Sequence, residues 1–352
     1  MDGEYTIKEY NTYTCKDEIL YKVFDFLDII FREFEKDDPL PTEEYRMKGF
    51  RTKSPSNDDY NWLVWKGDKV IGLAYLVVRN KNNASFEENK HVGFFDIRVL
   101  KDHRRKGIGT ELFSTILQKA KEIGFVETLQ NGTTRESGFK FNEHYNGILA
   151  MESVENRCYI SEVNWDLMND WVKQGRDKGK QEGRTLQWFE ACPEDIVEDF
   201  CEVYTETMNQ QPLGELETRP LITPESRRET EKLQEERGFN WHTVITREKN
   251  GKISGVTDVT YIPGMSHRIF QELTGVLKQY RGNGLGKWLK AEMLYFIHKK
   301  YPDVKYIGTG NADANAPMLS INTRMGFKVH KHNKAFKFKI DDLEKAISEK
   351  MK

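Results

Sequence analysis

The stretch TGVLKQYRGNGLGKWLKAEML, residues 274–294, decides the fold. It reads as the end of a strand, a basic glycine-rich loop of pattern R-x-x-G-x-G at Arg281–Gly286, and then a helix. The helix is marked by apolar residues at helical spacing: Leu285, Trp288, Leu289, Met293, Phe296 and Ile297. Glycines in such a loop let the backbone approach a ligand and take positive φ. The amides of the loop and first helical turn lack partners, and the helix dipole adds positive potential, so the junction suits an anion such as a pyrophosphate. A dinucleotide-binding loop would follow the first strand of a parallel βαβ unit, and a P-loop would carry Gly-Lys-Ser or Gly-Lys-Thr. Neither context is present.

Upstream, IFQELTGVL at 269–277 reads as a strand, preceded by a hairpin, TVITREKNGKISGVTDVTYI at 243–262, turning at Asn250-Gly251. The same order occurs earlier in the chain. A hairpin at 61–78 turns at Gly67-Asp68, the strand HVGFFDIRVL covers 91–100, and the loop is Arg104-Arg105-Lys106-Gly107-Ile108-Gly109. The helix after it repeats Ile108, Leu112, Phe113, Ile116, Leu117 and Ala120. Gly107 and Gly284 are 177 positions apart, and Gly72 and Gly255 are 183 apart, as duplication with drifting loop lengths would leave them. A Gly-Phe pair, Gly138-Phe139 or Gly326-Phe327, is read as closing each copy before a final strand pair. The expected domains are residues 1–175 and 185–352. Between them NWDLMNDWVKQ reads as helix, and the charged, glycine-bearing GRDKGKQEGR reads as a linker or exposed loop.

A chain of 352 residues accommodates two such domains. The formal charge of -2 and pI near 6.5 give no electrostatic footprint for nucleic acid, so no nucleic-acid partner is expected. No apolar run approaches a membrane span, mean hydropathy is -0.73, and the acidic N-terminus MDGEYTIKEY is no signal peptide. A cytoplasmic protein with no membrane partner is therefore expected. Cys15, Cys158, Cys192 and Cys201 are scattered, which suits free thiols in a reducing compartment. His330 and His332 alternate with lysines on a terminal strand and are too few for a metal site, so no metal is expected.

The R-x-x-G-x-G loop after antiparallel strands resembles the signature of the GNAT superfamily, the acyl-CoA-dependent N-acyltransferases. Residues 274–294 and YIGTGNADANAPMLSINTRMGF at 306–327 resemble the C-terminal half of tandem GNAT proteins, an architecture also seen in mycothiol synthase. MNQQPLGELE at 208–217 resembles a segment between the first two helices of those proteins. The resemblance is stronger for the second copy than for the first. It implies an α/β (α+β) fold of two tandem GNAT domains. Each would hold a mixed, mostly antiparallel sheet, splayed at the CoA site and flanked by helices.

The resemblance further implies acetyl-CoA as cofactor. Val276 and Leu277 would line the pantetheine arm. Arg281, Gly282, Asn283, Gly284, Leu285, Gly286 and Lys287 would cradle the pyrophosphate, with Asn311 and Asn315 near the arm. In the first copy Val99, Arg104, Arg105, Lys106, Gly107, Ile108, Gly109 and Thr110 would serve. Strand alternation places Phe270, Glu272, Thr274 and Val276 on one face, and Glu272 is the candidate general base. Phe95 holds the equivalent place in the first copy and can accept no proton. From Gly107 to Gly138 is 31 residues, whereas Gly284 to Gly326 is 42, so the first copy reads as degenerate and lacking the stretch that carries Asn311 and Asn315. Asn322 stands where many family members place a tyrosine acid, so either another group such as Tyr280 or Tyr261 protonates the thiolate, or the thiolate leaves unprotonated, as a thiol's low pKa permits. The expected activity is acetyl transfer to a primary amine, a small molecule ahead of a protein amine. A non-catalytic acyl-CoA sensor or partner-docking module is the rival.

Overall fold

The computed structural model describes residues 5–216, 218–312 and 315–350. Glu217, the last residue of the 208–217 stretch, lies outside them. In chain order the elements begin β1 (Thr6–Tyr10), α1 (Asp17–Phe34), α2 (Glu43–Arg51), β2 (Asn57–Lys66), β3 (Lys69–Arg79) and α3 (Phe86–Asn89). They continue with β4 (Val92–Val99), α4 (Ile108–Ile123), β5 (Thr128–Thr133), α5 (Glu136–His144), β6 (Ile148–Tyr159) and α6 (Trp165–Glu182). Then come β7 (Thr185–Phe189), α7 (Val197–Asn209), α8 (Pro224–Glu236), β8 (Asn240–Arg247), β9 (Ile253–Tyr261) and β10 (Arg268–Val276). The chain closes with α9 (Leu285–Lys300), β11 (Tyr306–Ala312), α10 (Ala316–Met325), β12 (Lys328–Lys339) and α11 (Ile340–Lys350). Among the described residues, no helix is long and apolar enough to cross a membrane.

The chain forms two compact units, and they do not divide it where the sequence suggested. The first holds residues 1–152, 214–219 and 333–352; the second holds 153–213 and 220–332. The predicted boundary at 175–185 is thus corrected to 152/153, with two later returns to the first unit. The returning segment 214–219 is fixed there by Glu215 N donating to Ala150 O at 2.8 Å and by Asn89 Nδ2 donating to Arg219 O at 3.0 Å. The proposed linker is also corrected. GRDKGKQE continues α6, and its glycines serve packing: a Cβ on Gly175 would sit 2.2 Å from Trp288 Cγ. Glycine there lets α6 lie against α9, which flexibility rules do not distinguish from a linker.

The first unit's sheet runs β1-β2-β3-β4-β5-β12, and the second's runs β6-β11-β10-β9-β8-β7. The final strands are exchanged. Residues 334–339 of β12, from the end of the chain, pair antiparallel with β5, while 153–159 of β6 pair with β11. Both hairpins form as read, with Gly67 (φ +58°) and Gly251 (φ +83°) at their turns. Of the apolar positions predicted on α4 and α9, all are buried except Phe296, which is half-buried.

Both sheets open at the same place. β4 pairs with β5 in parallel only at Val92–Phe94, and β10 pairs with β11 only at Arg268–Phe270. Beyond those three rungs the strands part, and the basic loop and helix α4 or α9 begin at the mouth of the gap. Each sheet is mixed, mostly antiparallel and flanked by helices.

Candidate active site

The loop of the second unit depends on two left-handed residues, Gly282 (φ +82°) and Gly284 (φ +79°), the latter capping α9. The first intrahelical bond runs from Trp288 N to Gly284 O, so the amides of Leu285, Gly286 and Lys287 have no partner within the helix. They face a groove of about 500 Å³. Its walls include Thr207, Gln210, Gln211 and Pro212 from the end of α7, Thr274–Val276 from β10, Tyr280, the loop, and Asn315, Pro317, Met318 and Ile321 at α10.

Of the predicted residues, Val276, Arg281, Gly282, Gly284, Leu285, Gly286, Lys287 and Asn315 line this groove. Leu277 does not; it is buried in the core beneath α7. Asn283 turns its amide onto Tyr280 O at 3.3 Å. Arg281 is a staple for the loop: its Nε donates to Val276 O at 3.1 Å and its Nη2 to Gln210. Arg104 repeats this in the first unit, donating to Val99 O at 2.8 Å and gripping Glu33 with two bonds of 2.6 Å. Asn315 caps α10, its Oδ1 accepting from Met318 N at 3.4 Å. Asn311 lies deeper in the splay, where Asn322 and Asn156 both donate to its Oδ1, at 2.8 and 3.2 Å.

The predicted alternation along β10 fails at its middle. Gln271 pairs with Val259 and Thr274 with Thr257, so Glu272 and Leu273 together oppose Asp258 in a β-bulge. The bulge turns Glu272 onto the α7–α8 face with Phe270, and leaves Thr274 and Val276 on the α9 face. Asp258 Oδ1 accepts the Leu273 amide at 2.8 Å, while Oδ2 accepts Tyr204 OH and Trp241 Nε1, each at 2.8 Å. Glu272 stays open to solvent at its surface. The protein around its carboxyl removes enough water, with Asp258 adding like charge against a hydrogen bond from Thr260, to push its pKa up to about 7. Tyr261 is stacked on Tyr301 at 3.9 Å and lines no part of the groove, whereas Tyr280 does.

The first unit keeps a groove of about 470 Å³, lined by Val99, Arg104, Arg105, Gly107, Gly109 and Thr110 among others. Lys106 is exposed and Ile108 is buried in the core, so neither lines it. Arg105 takes the positive φ (+63°) that Gly282 takes in the second unit. The expectation of a missing stretch is overturned. Gly138-Phe139 lies inside α5 and closes nothing; the counterpart of Gly326 (φ +106°) is Asn146 (φ +59°), after the helix. Asn142 donates to Asn131 Oδ1 at 2.9 Å, the same pair as Asn322 and Asn311. Sequence reading missed it because asparagine replaces glycine at the turn. Phe95, however, is buried and stacked on Phe113 at 4.8 Å, as its residue type suggested.

Residues 23–138 match the family described as acetyltransferase (GNAT) family. The match falls on the first copy, although the second carries the fuller glycine loop. The chain has the fold of a tandem GNAT protein. Its fold is similar to a tandem GNAT protein from the clavulanic acid biosynthesis pathway, with a TM-score of 0.75 and 17% identity over 96% of this chain and 99% of that one. A GCN5-related N-acetyltransferase from Sphaerobacter thermophilus superposes with a TM-score of 0.65 and 12% identity, covering 96% of each chain. A glucosamine N-acetyltransferase region of a fungal multi-domain β-N-acetylglucosaminidase has a TM-score of 0.65 and 14% identity, over 95% of this chain and 38% of that one. No curated protein matches the chain.

Proposed function

We propose that the second unit transfers an acetyl group from acetyl-CoA to a primary amine, with Glu272 as general base. The observation that supports this reading is the bulged β10, which carries Glu272 two residues before Thr274–Val276 of the glycine-looped groove; Glu272 itself does not line that groove. The groove residues named above would hold the cofactor, with pyrophosphate at the amides of Leu285–Lys287 and the pantetheine arm along Val276. An amine reaches a protein protonated at neutral pH, and only its free lone pair attacks a thioester. A carboxylate titrating near 7 is poised to take that proton, directly or through water. The neutral amine then adds to the carbonyl carbon, the C–S bond breaks, and the proton that the nitrogen sheds on becoming an amide goes to solvent or to the departing thiolate, whose low proton affinity demands little of an acid. Tyr280 is the phenol lining the groove that can meet it.

The first unit supports a different role. Its groove, loop and asparagine pair suit CoA, but the carboxyl on β4, Asp96, is tied to Arg98 at 2.6 Å and to the Ile97 amide at 2.9 Å, so we assign it binding without acyl transfer. A thiol-release assay with acetyl-CoA and a panel of small primary amines tests the whole reading. Release that Glu272→Gln abolishes at neutral pH supports it. Turnover equal to that of the wild type in Glu272→Gln would remove Glu272 from the mechanism.

A further inference from the structure

A bulge in the middle of a sheet is costly, because it expels one backbone amide from the ladder. In β10 that amide belongs to Leu273, and it is met by a carboxylate. Asp258 is fully buried on β9, and its two oxygens accept three donors, from Leu273 N, Tyr204 OH and Trp241 Nε1. Its backbone oxygen also accepts Gln271 Nε2 at 2.8 Å, so one residue fastens both ends of the bulge. An uncharged acceptor would satisfy the same amide without the cost of burying a charge, so the carboxylate calls for a reason.

We propose that Asp258 is a positioning residue for acyl transfer in the second unit: its carboxylate captures the amide that the bulge expels, and so holds Glu272 on the α7–α8 face with a second negative charge behind it. The inference rests on the reading of Glu272 as the base. Every neighbouring element bears on that pair of carboxyls. Tyr204 on α7 donates to Asp258, and Arg227 on α8 is buried, with its guanidinium 3.6 Å over the Trp241 ring and its Nε on Glu231 at 2.7 Å. β8 contributes Trp241, and β9 contributes Thr260 as well as Asp258. On the opposite face, Lys290 of α9 donates to Gln271 Oε1 at 3.2 Å. Burial raises the pKa of Asp258, and the Leu273 amide, Arg227, Tyr204 and Trp241 act against that rise by favouring the charged form. The Asp258 carboxylate, behind burial as the larger cause, disfavours a second charge at Glu272 and makes Glu272 the stronger base.

The test uses the full chain, carbon-13 labelled at glutamate carboxyls, with Glu272 assigned through Glu272→Gln. In the wild type we expect Glu272 to titrate near 7 and the Leu273 amide to be strongly protected from hydrogen exchange. In Asp258→Asn the midpoint should fall by about one pH unit or more, the scale for losing a nearby like charge. A purely structural Asp258 would lower thermal stability and leave that midpoint in place, which would overturn the proposal. If Asp258→Asn does not fold, the wild type still decides: an unprotected Leu273 amide, or an ordinary carboxylate midpoint at Glu272, overturns it. Failure of the base assignment is read separately, as undiminished turnover in Glu272→Gln.

Discussion

Phe95, opposite Leu76, corresponds by strand register to Gln271, opposite Val259, and Asp96 corresponds to the bulged pair Glu272–Leu273, which corrects the match read from sequence. Glu272→Gln keeps shape and loses the proton acceptor. Turnover at neutral pH should fall by about 10²-fold or more, with recovery as rising pH supplies neutral amine, as a pH–rate profile would record. Affinity for acetyl-CoA should hold, since the loop is untouched. Stability should move the other way. A carboxyl raised from 4.5 to about 7 in the folded chain binds its proton more tightly there than when unfolded. Its stabilising contribution is full below the unfolded value and lost as pH rises through the folded one. Glu272→Gln should therefore melt higher than the wild type at pH 8, with the gain vanishing below about pH 4.5, as calorimetry at the two pH values would show. Phe95→Ala should instead cost about 3–5 kcal/mol of stability by opening a cavity among Phe113 and Phe338, with little specific effect on turnover.

The loop and its helix act as one element. No atom lies within 4 Å of a Cβ built on Gly284, so crowding is not what demands glycine; the left-handed φ of +79° is. Gly284→Val imposes a β-branched residue where that backbone is strained, and the loop should leave its anion-holding shape. Calorimetric titration of acetyl-CoA should then show at least about tenfold weaker binding in a folded protein, the worth of one good hydrogen bond. This loop, its helix and both hairpins were legible in the sequence, because glycine, charge and apolar spacing are local signals. The bulge was not. Alternation assumes a regular strand, and only the tertiary meeting of Asp258 with Leu273 breaks it. The α5 turn escaped for a related reason: Asn146 adopts a left-handed φ that glycine was expected to mark. The glycines of α6 misled in the opposite sense, since close packing on Trp288 and flexibility call for the same residue.

At the scale of the whole chain, strand exchange decides what can be cut. A sequence pattern shows that a terminal strand is half-buried, but not which sheet it completes. Residues 185–352, the domain read from sequence, lack both β6 residues 153–159, which pair with β11, and α6, which packs through Gly175 and Gly179 on Trp288. That fragment should therefore be unfolded or insoluble alone, rather than a minimal CoA-binding domain. The complementary test is sharper. Deleting 333–352 removes Phe336, Phe338, Ile340, Leu343, Ala346 and Ile347 from the core that holds Phe95 and Phe113, and exposes the edge of β5. Burial of each large side chain contributes about 1.5–3 kcal/mol, so the combined loss is comparable to the usual margin of stability of a domain, about 5–15 kcal/mol. Hydrogen exchange should then show β4 and β5 losing protection, although the missing residues are more than two hundred positions away in sequence. Strands β9 to β11 draw no partner from 333–352 and should keep theirs. A chain split at 182/183 and expressed as two pieces should recover both grooves only when the pieces are together. Protection retained in β5 after the deletion would mean that the last strand is not part of the first unit's sheet.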